Sequence, residues 1–122
     1  MSKENVSPVL ESGKKNYLID IDGTICDDVP NEEPERMVTA CEYEGAREAI
    51  NKLYEEGHIV TFFTSRTSND HREVTEKWLK DRGFKYHNLL MDKPRGGNYV
   101  WVDNHIVDGV LYKGDWKDLD IK

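Results

Sequence analysis

Two aspartates two residues apart, Asp20 and Asp22, run directly into Gly23 and Thr24 at the end of a short apolar stretch. Carboxylates two apart share a face in a regular strand, and both reach one pocket where the strand opens into a turn. Left alone, such like charges repel and one pKa rises. A pair of this kind holds a metal ion or divides the work of nucleophile and acid. Its ordinary reading is an acidic strand end at which Gly23 turns the chain. Three more residues stand at comparable places. Thr64 closes a second apolar run, Lys93 follows a third in a loop with Pro94, and Asp103 closes a fourth. Singly, Thr64 is a β-branched strand end and Lys93 a solvated cation. Asp103, at the same edge as Asp20, is harder to dismiss, and the four positions together are less easily accidental.

The elements that must position these residues follow from periodicity. Asn16 to Asp22 is a short apolar run stopped by carboxylates and glycine, the pattern of a buried strand. Residues 23–42 carry Pro30, Pro34 and the acidic stretch Asn31-Glu32-Glu33, and read as a loop or irregular hairpin. Ala46, Ala49, Ile50 and Leu53 form a helical stripe, with Gly57 where a left-handed cap belongs. His58 to Thr64 is a second strand. Ser68, Asn69 and Asp70 offer helix N-caps, Val74, Trp78 and Leu79 a helical face, and Gly83 an end. Tyr86 to Met91 is a third strand, and Tyr99 to Asp103 a fourth. Apolar strands alternating with helices predict an α/β fold with a parallel sheet covered by helices. Ligands of such sheets bind beyond the carboxyl ends of the strands, where Asp20, Asp22, Thr64, Lys93 and Asp103 fall.

The chain has 122 residues, enough for one domain, read as a loose arm over residues 1–14 and a single domain over 15–122. With 17 Lys and Arg against 24 Asp and Glu, the formal net charge is −7. That balance disfavours nucleic acid and anionic membranes as partners, and suits an enzyme that gathers carboxylates around a divalent cation. No apolar run approaches a membrane span, and the first residues lack the apolar stretch of a secretory leader, so the expected location is cytoplasmic. Cys26 and Cys41 have no metal-type spacing and read as free thiols. His71 and His105 are scattered and form no ligand pattern, and His58 and His87 look like strand-edge residues.

Asp20-Ile21-Asp22-Gly23-Thr24-Ile25 resembles the first motif of the haloacid dehalogenase (HAD) superfamily. Phe62-Phe63-Thr64-Ser65-Arg66 resembles the second, Lys93-Pro94 the third and Val102-Asp103-Asn104 the acidic fourth. The first motif is specific, the second and third are weak alone, and order and spacing agree over residues 15–108. A narrower likeness is to small capless phosphatases. The resemblance implies a three-layer, Rossmann-like parallel sheet flanked by helices. It implies a phosphatase in which Asp20 attacks phosphorus and Asp22 serves as acid, then base. It implies Mg²⁺ on Asp20, the Asp22 carbonyl and Asp103, helped by Asn104. Thr64 and Lys93 would hold the transferring phosphoryl group, with Ser65 and Arg66 as further substrate contacts.

One departure concerns the fourth motif, where relatives usually carry two acids and Asn104 follows Asp103 here. Asn104 or Asp108 would complete the metal site. Asp92 is a candidate helper carboxylate or a solvated loop acid. Arg95 with Gly96 and Gly97 reads as a phosphate-facing loop or a simple turn. About 20 residues separate Asp22 from the helix near Tyr43, room for a flap and not for a folded cap. An open site takes large substrates or borrows a lid from a second copy in a homo-oligomer. The resemblance suggests three substrate classes, sugar phosphates, polynucleotide 3′-phosphates and phosphoproteins. The acidity argues against the polynucleotide, and a small phosphorylated metabolite is the expected substrate. The rivals are a receiver-like phosphoacceptor domain, which has no use for Asp22, and a partner-binding pseudo-phosphatase, motivated by Asn104.

Overall fold

Ile59–Phe63 (β2) is the strand around which the rest is built. Its first four residues are buried, so both of its faces are covered. The computed structural model describes residues 9–119 and 121. Asn16–Ile19 (β1) pairs with one edge of β2 and Asn88–Leu90 (β3) with the other, all parallel, in the order β1-β2-β3. Leu18 lies opposite Thr61, and Phe62 opposite Leu89. On β1 only Ile19 is fully buried and Leu18 is exposed, as befits an edge strand with one face open.

Two longer helices carry the crossovers, α2 (Ala46–Glu55) from β1 to β2 and α3 (Ser68–Asp81) from β2 to β3. In α2, Ala46, Ile50 and Leu53 are buried, one stripe at helical spacing. Both helices end alike. Gly57 (φ 95°) and Gly83 (φ 78°) take the left-handed conformation just past the last turn. The His58 amide then donates to Leu53 O and the Phe84 amide to Leu79 O. In α3, Thr67 is the N-cap, its hydroxyl accepting from the Asp70 amide. Trp78 stacks on Phe84 at 5.5 Å and Phe84 meets Phe62 edge-on at 6.0 Å, which ties α3 to the sheet.

The result is a three-stranded parallel sheet flanked by helices, the Rossmann-like α/β arrangement expected. Three details differ from expectation. The first strand stops at Ile19, leaving Asp20 and Asp22 in the turn. The stretch read as a loop contains a one-turn helix, α1 (Glu35–Val38), packed against α3. The third correction is the fourth strand, Tyr99–Asp103, which the described residues do not form. Gly96, Gly97 and Asn98 take positive φ in succession and curl the chain away from the sheet. Val100 and Val102 beyond them are 86% and 91% exposed, with no ladder partner.

Residues 23–42 leave and return as an irregular hairpin, closed at its base by Asp27 N to Cys41 O and Tyr43 N to Ile25 O. Cys26 is buried there and Cys41 exposed, and both are free. The tail is anchored by Trp116, whose indole N–H donates to Thr24 O at 2.7 Å. Among the described residues no helix is long and apolar enough to cross a membrane. Part of the expected arm, residues 1–8, lies outside the described residues.

Candidate active site

The acid-bearing turn is fixed by its own backbone. Thr24 N and Ile25 N both donate to Ile21 O, and Gly23 N donates to Cys26 O. Gly23 sits at φ 79°, a conformation costly for any residue with a Cβ. Ile21 and Ile25 are wholly buried, so the residues between them are driven outward over the strand ends. Asp20 and Asp22 both line a cavity of about 350 Å³ that opens there.

Each carboxylate has its own cation. Lys93 Nζ lies 3.0 Å from Asp20 Oδ1, and the Thr24 hydroxyl donates to Asp20 Oδ2 at 2.9 Å. Arg66 forks onto Asp22, Nη2 to Oδ1 at 2.7 Å and Nε to Oδ2 at 2.9 Å. The repulsion that two close carboxylates would suffer is thus offset pair by pair. Exposure separates their roles. The Asp20 side chain is 37% exposed and Lys93 13%, whereas Asp22 is 15% and Arg66 1% exposed. Asp20 is the carboxylate open to a ligand.

Lys93 is placed by the extension of the β2–β3 ladder. Thr64 N donates to Leu90 O, Lys93 N to Thr64 O and Asp92 N to Arg66 O, all within 2.9 Å. Its ammonium also lies over the rings of Phe63 and Tyr99, at 5.5 and 5.3 Å. Asp92, considered as a helper acid, turns away. Its carboxylate takes the Ser68 hydroxyl at 2.7 Å and the Ser68 amide at 3.2 Å, capping α3.

The structure therefore brings Asp20, Asp22, Ser65 and Lys93 to one cavity, with Asn31 and Arg95 beside them. Thr64 lies next to it, buried, its hydroxyl accepting from the Arg66 amide at 3.2 Å. Arg66, expected to meet substrate, is instead consumed within the protein. Its third arm, Nη1, donates to Thr75 Oγ1 at 2.9 Å. That bond spans two turns of chain far from the first motif, so no local signal announces it. Arg95 ion-pairs with Glu32 at 3.3 Å, which joins the loop after β3 to the hairpin.

Asp103 and Asn104 are not brought to this cavity. Asp103 accepts from the Trp101 indole at 3.1 Å and from the His105 amide at 3.1 Å. Those bonds hold its carboxyl below the usual range. Among the described residues no three His, Cys, Asp or Glu side chains converge as a metal site. The ligand set that the resemblance implies for Mg²⁺ is therefore not assembled, because the segment carrying Asp103 leaves the sheet. Beneath the turn, burial pushes the Cys26 thiol up to about 12, with the Asp22 charge adding to the effect. A thiol so raised is not a nucleophile.

A larger groove, about 700 Å³, lies between Tyr43, Glu44, Tyr112 and Lys117. It shares only Gly23 with the turn, and its Glu44 and Lys117 are engaged with each other in an exposed ion pair at 3.0 Å. The smaller cavity is the candidate site.

No family model and no curated protein matches this chain. Solved structures do. A crystal structure of a target from Vibrio cholerae aligns with TM-score 0.59 and 19% identity, over 76% of this chain and 82% of that one. A chain of the Pnkp1/Rnl/Hen1 complex aligns with TM-score 0.58 and 21% identity, over 84% of this chain and 35% of its own. A chain of the Pnkp1/Rnl/Hen1 RNA repair complex aligns at 0.57 and 20%, over 80% and 31%. At these identities the likeness establishes the fold.

Proposed function

We propose that this chain is a phosphomonoester hydrolase acting through an aspartyl-phosphate on Asp20, with a small phosphorylated metabolite such as a sugar phosphate as substrate. The observation that carries the reading is the environment of Asp20. It is a half-open carboxylate at a strand end, in a cavity, with an ammonium at 3.0 Å and a second carboxylate two residues on. The resemblance to the HAD superfamily gives the same residue the same task. In the first step an Asp20 oxygen bonds to phosphorus and the ester P–O bond breaks. The leaving oxygen takes a proton from Asp22. Water then attacks the acyl phosphate with Asp22 as base, inorganic phosphate departs, and the Asp20 carboxylate is restored. Lys93 offsets negative charge on Asp20 and on the transferring group.

Asp22 as held accepts two N–H bonds from Arg66. To donate a proton it must carry one and free an oxygen from that fork. The Mg²⁺ that the resemblance implies would neutralise phosphoryl charge. A second reading, binding without turnover, is favoured by the occupied Asp22 carboxylate and the distant Asp103.

The test is phosphate release from p-nitrophenyl phosphate, sugar phosphates and a 3′-phosphorylated oligonucleotide, with Mg²⁺ and in metal-free buffer. Turnover by wild type and none by Asp20→Asn is the expected result. Release unaffected by that substitution removes Asp20 from the chemistry. A stable phosphoprotein without turnover would instead fit a phosphoacceptor domain.

A further inference from the structure

His71 is buried in the first turn of α3 and takes no part in the chemistry above. Its ring nitrogens have partners of fixed polarity. The Thr67 amide donates to Nδ1 at 2.9 Å, and a backbone N–H can only donate. Nε2 lies 3.0 Å from Asn31 O, and a carbonyl can only accept. Nδ1 is therefore bare, Nε2 carries the proton, and the ring is neutral. The Thr67 hydroxyl, 3.0 Å from Nδ1, adds a second donor on the same side. The circuit closes through Asn31, whose side-chain amide donates to Ser65 O at 2.9 Å. One imidazole thus bolts the hairpin that follows the acid turn to the segment that follows β2. Asn31 and Ser65 are both walls of the Asp20 cavity, and neighbouring Asp28, Val29 and Pro30 also line its hairpin side.

We infer that His71 is a positioning residue for the phosphatase site, its neutral Nε2–H tautomer holding the Val29–Asn31 wall at the distance a leaving group requires. This rests on the proposed activity and adds to it the residue that sets cavity shape. The phosphorus end of the cavity is marked by Asp20, with Lys93 and Thr24 on its oxygens. That assigns the hairpin wall to the leaving group, so its loosening should weaken substrate binding more than chemistry.

Three variants and two readouts test it. Gln at 71 can still present an N–H to Asn31 O, while Asn reaches only toward Thr67 and Ala reaches neither. His71→Ala and His71→Asn are expected to raise KM for an aryl phosphate about fivefold or more with kcat within about twofold, and His71→Gln to restore KM. Independently of activity, amide hydrogen exchange at Asn31, Glu32 and Glu33 should rise about tenfold in the Ala and Asn variants and not in Gln, with Val60 and Phe62 unchanged. In wild type, imidazole ¹⁵N spectra should show the proton on Nε2. A proton on Nδ1, unchanged exchange at residues 31–33, or exchange raised equally in the sheet would overturn the inference. Loss in kcat alone would also overturn it. If wild type releases no phosphate, the proposed activity fails, while exchange and tautomer still decide whether His71 holds the wall. Should His71→Ala not fold, the Asn and Gln pair carries the comparison.

Discussion

Asp20 and Asp22 differ by what surrounds them, and the difference can be measured. Arg66 is almost wholly buried and Asp22 nearly so, with two hydrogen bonds between them. Removing one partner of such a pair leaves an uncompensated buried charge, at a cost of about 3–5 kcal/mol. Lys93 and Asp20 form a single contact, and Asp20 is more than a third exposed, so water screens that pair. Arg66→Met is therefore expected to lower unfolding free energy by about 3–5 kcal/mol, and Asp22→Asn combined with it to recover part of the loss. Lys93→Met should change stability by less than about 1 kcal/mol and yet slow phosphate release by about 10²–10³-fold. Urea unfolding and steady-state kinetics on the same preparations check both. Equal stability losses in the two variants would deny that one pair is structural and the other functional.

At the scale of elements, what was legible was local. Gly57 and Gly83 could be assigned as helix ends because a left-handed residue after an amphipathic stripe is a short-range pattern. The β1 turn was legible for the same reason, since Asp20, Asp22 and Gly23 act within four residues. The Arg66–Asp22 fork was not, because its partners are 44 positions apart and arginine suits a phosphate as well as a carboxylate. His71 has no signature in the sequence, because a lone histidine carries no spacing signal. Its role appears only when Asn31, 40 residues away, is seen against its ring. Tyr99–Asp103 has strand composition, but composition does not supply a partner, and the coil at Gly96, Gly97 and Asn98 takes it off the sheet. From Val100 to Leu111 the backbone is irregular and its large apolar side chains are exposed. Limited proteolysis by chymotrypsin or elastase should therefore cut first within residues 99–111 and only later in α2, α3 or β2. Early protection of that segment would mean that it pairs with something, and the open edge of β1 is the first place to look.

For the molecule as a whole, burial of ionisable groups sets an alkaline limit. The Cys26 thiol is pushed from 9.0 up to about 12, chiefly by burial and then by Asp22. Burial also raises Tyr86 from its ordinary 10.0. In both cases the neutral form is the one that fits the fold. Below pH 9 the Cys26 thiol is protonated folded or unfolded, and its contribution is complete. Above it, the unfolded chain releases the proton while the native chain keeps it until about pH 12. The native state then binds more protons, so stability falls as pH rises, by about 1.4 kcal/mol per pH unit for one such group. The net charge of −7 adds self-repulsion that also grows with pH, and this background must be separated from the thiol. Cys26→Ala separates it, because the variant keeps the background and loses only the buried thiol. Its urea midpoint at neutral pH should be lower, since side-chain volume is lost from the core. Its decline between about pH 9 and about pH 10.5, under reducing conditions, should nonetheless be shallower than that of wild type. Parallel declines would place the alkaline sensitivity in surface charge, and would mean that the space under Asp20 and Asp22 is wet enough to hold a thiolate.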